Sequence, residues 1–160
     1  MNAQIRPIKP DEIPLLEDFL YEAIYQPDES NLIPRSVLSK PEVRVFIDGF
    51  GKKDDHCLVA VADKKIVGAV WARILSGDIK GFGNIDAETP EFAISVYKPH
   101  RGKGLGTRLM LGMLALLKEK GYAKASLAVQ KDNYAVKMYQ KTGFVIIDES
   151  DEEYIMIHEF

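Results

Sequence analysis

The stretch Arg101-Gly102-Lys103-Gly104-Leu105-Gly106-Thr107 stands between a strand pattern and a helix pattern, and it decides the fold of this chain. An extended apolar run, Glu91-Phe92-Ala93-Ile94-Ser95-Val96, precedes it, and an amphipathic helical pattern follows it as far as Gly121. Three glycines at alternate positions let the backbone approach an anionic group closely. The free N–H groups and the positive dipole end of the following helix favour negative charge at the same place. The turn therefore suits a pyrophosphate.

Two common phosphate-binding turns do not match this one. A Walker P-loop requires Gly-x-x-x-x-Gly-Lys-Ser/Thr, but the residue five positions after Gly102 is Thr107. A Rossmann fingerprint requires Gly-x-Gly-x-x-Gly, and here the third glycine falls one position early, at Gly106. The turn also begins near residue 101, which leaves too little chain for the βαβ repeats of that fold.

Residues 96–107 resemble the acyl-CoA signature of the GNAT superfamily of N-acetyltransferases, which is Arg/Gln-x-x-Gly-x-Gly/Ala after a strand. A second block resembles the family's next strand, helix and closing Gly-Phe; it consists of Leu127-Ala128-Val129, Asn133, Ala135, Tyr139 and Thr142-Gly143-Phe144. The resemblance covers nearly the whole chain, and only residues 27–40 have no recognisable counterpart.

The periodicity of apolar residues predicts the order β-α-α-β-β-β-α-β-α-β-β, which agrees with that family. We predict strands over 5–8, 57–62, 66–75, 91–96, 125–129, 144–147 and 154–158, and helices over 10–24, 41–50, 105–120 and 133–141. The resemblance implies an α/β (α+β) fold with a mixed, mostly antiparallel central sheet flanked by helices, in which the fourth and fifth strands splay apart. Residues 1–160 are expected to form a single domain of this type.

The resemblance also implies which residues bind coenzyme A, because the pantetheine arm inserts between the splayed strands in that family. Ile94, Ser95 and Val96 would offer backbone groups to pantetheine, and Asn133, with Ala135 and Tyr139 beside it, would contact the coenzyme from the other side. Backbone N–H groups for the pyrophosphate would come from the turn itself, that is, from Arg101, Gly102, Lys103, Gly104, Leu105, Gly106 and Thr107.

Acetyl transfer to an amine requires a neutral amine and a proton for the departing thiolate. Tyr139 resembles the family's tyrosine beside the thioester sulfur, and its phenol can act as the general acid. The alternative for Tyr139 is a core-facing ring on an amphipathic helix. Glu91, at the start of its strand, is the candidate general base, acting directly or through water; Glu88 is the second choice, and water alone stays open.

The composition of the chain disfavours several other classes of function. The chain has 160 residues, 46% of them hydrophobic and 28% charged, with a formal net charge of −3, which disfavours a broad nucleic-acid-binding face. Cys57 is the only cysteine, and the three histidines have no metal-ligand spacing, so we expect a cytoplasmic protein without a metal site. No apolar run approaches membrane-spanning length, and a homodimer is the default assembly.

The sequence therefore predicts an N-acetyltransferase that moves the acetyl group of acetyl-CoA to a primary amine of a small molecule or a protein. The amine would attack the thioester directly within a ternary complex. Acidic residues near the expected mouth of the site, Asp86, Glu88 and Glu91, favour a cationic acceptor. The alternative is a catalytically silent module that binds CoA or acyl-CoA as a sensor.

Overall fold

The computed structural model describes residues 2–160 and contains seven strands within that range. The strands are β1 (Ala3–Pro7), β2 (His56–Ala62), β3 (Lys65–Arg73), β4 (Glu91–Val96), β5 (Lys124–Gln130), β6 (Val145–Glu149) and β7 (Glu153–Glu159). The α-helices are α1 (Leu16–Ala23), α2 (Pro41–Arg44), α3 (Leu105–Glu119) and α4 (Ala135–Lys141). One sheet joins the strands in the order β1-β2-β3-β4-β5-β7-β6, and only β4 and β5 run parallel. The predicted mixed, mostly antiparallel sheet is confirmed.

The order of the elements agrees with the sequence prediction, and the bounds of all seven strands lie within two residues of it. The hairpin between β2 and β3 turns on Asp63 and Lys64, whose φ angles are 50° and 66°. Positive φ at both positions of a two-residue turn matches the right-handed twist of the flanking strands.

The first predicted helix is wrong over its initial six residues. Pro10–Leu15 forms a 3-10 helix, and the α-helix begins only at Leu16. Pro14 lies inside this stretch and has no backbone N–H to donate to a preceding carbonyl, which disfavours an α-helical start. The Glu12 carboxylate accepts the Lys9 N–H at 2.8 Å and pairs with Arg6 at 2.8 Å, which fixes the entry of the chain.

The second predicted helix, over 41–50, is also shorter than expected, because α2 ends at Arg44. Side chains from β3 take the carbonyl oxygens that a continuing helix would use. Trp71 Nε1–H donates to the Phe46 carbonyl at 3.0 Å, and the Arg73 guanidinium donates to the carbonyls of Val45 and Asp48 at 3.0 and 2.8 Å. The segment after Arg44 therefore continues as turns.

The long helix α3 covers one face of the sheet with side chains at helical spacing. Leu109, Met110, Met113 and Leu117 are fully buried between α3 and the central strands. Gly121 ends the helix with a φ of 90°, as the sequence predicted. These contacts hold the start of α3, and with it the glycine-rich turn, against the end of β4.

The other face of the sheet packs against α1. Phe19 and Leu20 of this helix belong to a second core that includes Trp71 and the partly buried Ala93. Side chains alternate along a strand, so the odd-numbered residues of β4 face α1 and the even-numbered ones face α3. Ser95 follows this rule, and its hydroxyl donates to the Phe19 carbonyl at 2.7 Å.

Candidate active site

The strands β4 and β5 touch at a single point and then separate. Glu91 and Ser126 are the one paired position between them, with the Ser126 N–H donating to the Pro90 carbonyl at 3.0 Å. Past this pair, the edge of β4 borders a cleft of about 1060 Å³ lined in part by Ile94, Ser95 and Val96. The predicted splay of the fourth and fifth strands is therefore present.

The backbone of β4 offers hydrogen-bonding groups to this cleft. The Tyr97 N–H donates to the Val67 carbonyl on β3, so odd-numbered residues turn their backbone groups towards β3. Backbone groups alternate between the two edges of a strand, and those of Ile94 and Val96 consequently point away from β3, to the cleft side. The Val96 carbonyl already accepts the Arg101 Nε–H at 2.7 Å, which ties the glycine-rich turn to the strand.

The glycine-rich turn enters α3 through two left-handed residues. Gly102 and Gly104 have φ angles of 75° and 83°, and Gly104 is the N-cap of α3. A Cβ atom added at either position would meet nothing within 4 Å, so the positive φ is the reason for glycine there. The first N–H groups of a helix have no partner within the helix, and those of the first turn of α3, which begins Leu105-Gly106-Thr107, lie at the cleft wall. The turn can therefore bind an anion.

Two residues of the turn, Lys103 and Gly106, differ from the others in where they lie. Lys103 is exposed and does not line the cleft; its ammonium lies 3.4 Å from the Pro99 carbonyl. Gly106 lies where α3 meets α4, because a Cβ there would come within 3.2 Å of Met138 Sδ. The third glycine thus allows close packing of the two helices.

Tyr139 comes from α4 and lines the cleft with a ring that is 9% exposed. The ring tilts against Phe144 at 6.2 Å, and its hydroxyl makes no hydrogen bond to any residue between 2 and 160. Burial raises the pKa of this phenol to about 12, so the proton stays on at neutral pH. Nearby, the Asn133 side chain accepts the Ala135 N–H at 2.9 Å, which leaves its amide donors free beside the cleft.

Glu91 is 2% exposed and does not line the cleft. The loop before β4 covers it, and the Gly83 N–H donates to its Oε2 atom at 2.8 Å. Burial raises the pKa of this carboxyl to about 7, with Glu153 adding to the rise and the Gly83 bond opposing it. Such a carboxyl can take and release a proton at neutral pH, but it can reach an acceptor in the cleft only through an intermediary.

The other two acidic residues expected near the mouth, Asp86 and Glu88, are exposed and lie outside the cleft lining. Sequence reasoning missed the acidic residues that do line it, Glu22 and Glu29. Both are paired with cations, since Glu22 lies 3.3 Å from an Arg101 nitrogen and Glu29 pairs with Lys98.

The segment after α1 forms the remaining wall of the cleft and was not singled out from the sequence. Tyr25 and Leu32 come from this segment, which lacks the periodicity that identifies helices and strands, and Tyr21 adds to the wall from the end of α1. The Tyr25 hydroxyl donates to the Asp132 carbonyl at 3.2 Å, so the segment bridges from the β4 side of the cleft to the β5 side.

Two further findings concern the described residues, 2–160. No group of three or more His, Cys, Asp and Glu side chains is placed there to hold a metal ion. None of the helices is both long enough and apolar enough to cross a membrane.

Residues 20–144 match the acetyltransferase (GNAT) family. The chain belongs to this family. Its members use acetyl-CoA, and the predicted enzyme class, a GNAT-type N-acetyltransferase, is confirmed. The match includes β4, the glycine-rich turn, α3 and the helix that carries Tyr139.

Individual relatives agree with the GNAT assignment. The chain is 26% identical over 147 residues to the SPbeta prophage-derived uncharacterized N-acetyltransferase YokL of Bacillus subtilis (strain 168), covering 90% of this chain and 76% of that one. It is 33% identical over 85 residues to mycothiol acetyltransferase of Corynebacterium aurimucosum, covering 52% of this chain but only 26% of that longer protein. The crystal structure of PaiA N-acetyltransferase from Thermoplasma acidophilum in complex with coenzyme A superposes with a TM-score of 0.71 at 21% identity, covering 100% of both chains, which shows the shared fold.

Proposed function

We propose that this GNAT protein transfers the acetyl group of acetyl-CoA to a primary amine of a small molecule or a protein, by direct attack within a ternary complex. The observation that carries the proposal is the cleft between β4 and β5. It brings together the outward-facing backbone of Ile94 and Val96, the free N–H groups at the start of α3 and the phenol of Tyr139.

The binding roles follow from these groups. Backbone N–H groups of the left-handed turn and of the first turn of α3 bind the pyrophosphate, and the positive end of the helix dipole adds to the attraction. The β4 edge pairs with the amide groups of pantetheine as a missing strand would. The free amide donors of Asn133 bind the arm from the α4 side.

The chemical roles divide between two residues. The neutral amine attacks the thioester carbonyl, a C–N bond forms and the C–S bond breaks. Tyr139 gives its phenolic proton to the departing thiolate, and the proton lost by the amine passes through water to Glu91. Glu91 then returns its proton to solvent, and the phenolate is reprotonated by water.

A free-thiol assay with acetyl-CoA and a panel of amines tests this function. The panel contains spermidine, free lysine, kanamycin and a lysine-containing peptide, with mass spectrometry of the acceptor as the second readout. We expect thiol release that depends on one class of amine, together with an acceptor that gains one acetyl group. Tight CoA binding without acetylation of any amine would instead support the silent sensor module.

A further inference from the structure

Tyr134 differs from the other six tyrosines of the chain because neither its ring nor its hydroxyl has a partner among residues 2–160. Each of the others makes a stacking, cation–π or hydrogen-bond contact; they are Tyr21, Tyr25, Tyr97, Tyr122, Tyr139 and Tyr154. Tyr134 is 79% exposed, more than any other large apolar side chain of the described residues. An aromatic ring left in water lacks the favourable free energy that its burial would bring.

The local structure does not require a tyrosine at this position. Tyr134 is the N-cap of α4, but its side chain makes no capping hydrogen bond. The Asn133 side chain makes that contact instead, by accepting the Ala135 N–H at 2.9 Å. An N-cap is usually Ser, Thr, Asp or Asn, whose short side chains reach such N–H groups. The tyrosine therefore does not help to start the helix, and its ring is free to contact a ligand.

Tyr134 lines the same cleft as the glycine-rich turn. Its backbone is already helical, with φ and ψ of −62° and −15°, and it lies four residues before Met138. Residues at this spacing share one face of a helix. Met138 packs against the start of α3, since a Cβ on Gly106 would come within 3.2 Å of its Sδ atom. The ring of Tyr134 consequently lies one helical turn from this contact, beside the N–H groups proposed to bind the pyrophosphate.

The cleft is closed near one residue of α4 and open near another. Tyr139, proposed to protonate the leaving thiolate, is 9% exposed, whereas Tyr134 is 79% exposed. In coenzyme A the pyrophosphate separates the pantetheine arm from the adenosine. With the sulfur at Tyr139 and the pyrophosphate at the start of α3, the adenosine is the part of the coenzyme that continues to the open end, where Tyr134 lies.

We propose that Tyr134 binds the adenine base of acetyl-CoA by stacking its ring against one face of the base. The inference rests on the proposed function, since it requires the pyrophosphate to bind at the start of α3. Stacking covers two flat apolar faces and needs no particular hydrogen bond. Loss of such a side chain weakens the binding of a base about five- to hundredfold. Tyr134 thus favours coenzyme A over fragments of it that lack the nucleotide.

Two variants separate the ring from the hydroxyl, because Tyr134→Ala removes both and Tyr134→Phe removes only the hydroxyl. Isothermal titration with CoA, dephospho-CoA and 4′-phosphopantetheine measures binding without any acceptor. In Tyr134→Ala we expect the affinity for CoA and for dephospho-CoA to fall about five- to hundredfold, because both contain adenine. The affinity for 4′-phosphopantetheine, which lacks the nucleotide, should be unchanged. Tyr134→Phe should bind all three ligands as the wild type does.

Leu111→Ala is the matched control. Leu111 is 52% exposed on α3 and does not line the cleft, so its truncation should leave all three affinities unchanged. The melting temperature of Tyr134→Ala without ligand should equal that of the wild type, because the ring has no partner in the described chain. A loss of CoA binding in this variant is therefore not a loss of folding.

Proton NMR of bound CoA supplies a second readout. An aromatic ring stacked on adenine shifts the base protons H2 and H8 upfield through its ring current. We expect this upfield shift with the wild type and with Tyr134→Phe, and its absence with Tyr134→Ala.

Two results would overturn the inference. Equal losses of affinity for CoA and for 4′-phosphopantetheine in Tyr134→Ala would mean that the ring contacts the pantetheine arm. Unchanged affinity for CoA in that variant would mean that the adenine stays in water. A wild-type protein that binds CoA but acetylates no amine would contradict the transferase activity alone, whereas one that binds no CoA would overturn both proposals.

Discussion

Replacing Tyr139 by phenylalanine removes one oxygen atom from the cleft and leaves the ring. The hydroxyl makes no hydrogen bond within residues 2–160, so its loss breaks no hydrogen bond there. The ring remains packed against Phe144. We therefore expect the free energy of unfolding to change by less than about 0.5 kcal/mol, which is a melting-temperature change of under about 2 °C for a chain of this size.

The rate should respond very differently. A positioned acid raises the reaction rate about a hundredfold to ten-thousandfold, which corresponds to lowering the activation barrier by roughly 2.7–5.5 kcal/mol. Burial raises the pKa of the phenol to about 12, so Tyr139 is protonated throughout the usual assay range. The loss in turnover should consequently be the same at pH 6 and at pH 9.

Single-turnover measurement of acetyl transfer is the appropriate assay, because slow release of CoA would hide the chemical step. Tyr122→Phe is the matched control. Its hydroxyl donates to Asp54 at 2.6 Å and lies 2.9 Å from His56 Nε2, far from the cleft lining. This control should lose about 1–3 kcal/mol of stability with turnover unchanged, the reverse of the pattern at Tyr139.

Two results would refute the reasoning. A Tyr139→Phe protein with the wild-type single-turnover rate would remove the phenol from the mechanism. A fall in CoA affinity equal to the fall in rate would mean that the hydroxyl binds the coenzyme in the ground state and is not an acid.

Three further predictions concern the coenzyme and pH. Gly104→Val puts a branched side chain at a φ of 83° and should abolish CoA binding in isothermal titration. The control is Gly77→Val, at an open position without positive φ, which should bind CoA as the wild type does. Unchanged CoA affinity in Gly104→Val would contradict the role of the turn. CoA at about a hundred times its dissociation constant should stabilise the fold by roughly 2.7 kcal/mol, or about 5–10 °C in melting temperature, and equal shifts with ATP or NAD would reopen the other phosphate-binding turns. The pKa of Glu91 is about 7 in the folded protein and 4.5 as a free side chain, so its burial costs stability as pH rises from 4.5 through 7, by a total on the order of 3 kcal/mol. Glu91→Gln should flatten that loss in urea unfolding at pH 5 and pH 8, and an identical pH dependence in the two proteins would show that Glu91 is not a buried titrating group.

The central elements could be predicted from the sequence because their patterns are strong. The strand over 91–96 has the predicted bounds, and the end of α3 differs from the prediction by one residue. A long apolar face and a terminal glycine define the extent of that helix in the sequence. Each of the two wrong helix predictions has a specific cause, Pro14 in the first helix and the side chains of Trp71 and Arg73 from β3 in the second. Those β3 contacts lie 25 to 28 residues away in sequence, so no local pattern reveals them.

The candidate site could also be predicted from the sequence only in part. Motif spacing located Tyr139 and the glycine-rich turn at the cleft, but it could not tell that Lys103 faces outward. Strand alternation places Glu91 on the α1 side, yet its burial depends on the path of the loop over 76–90. The sequence of this loop has no periodicity, and its path is set by the close contact of Gly83 with the β5 backbone.

The divergence of β4 from β5 gives this sheet four edges instead of two. An unpaired strand edge is a template on which another chain can add and aggregate, and most proteins shield such edges. Here the inner edge of β4 borders a cleft, and the Tyr25–Asp132 hydrogen bond joins the segment after α1 to the residues that follow β5. This contact partly shields an unpaired strand edge that lies inside the fold from a neighbouring chain.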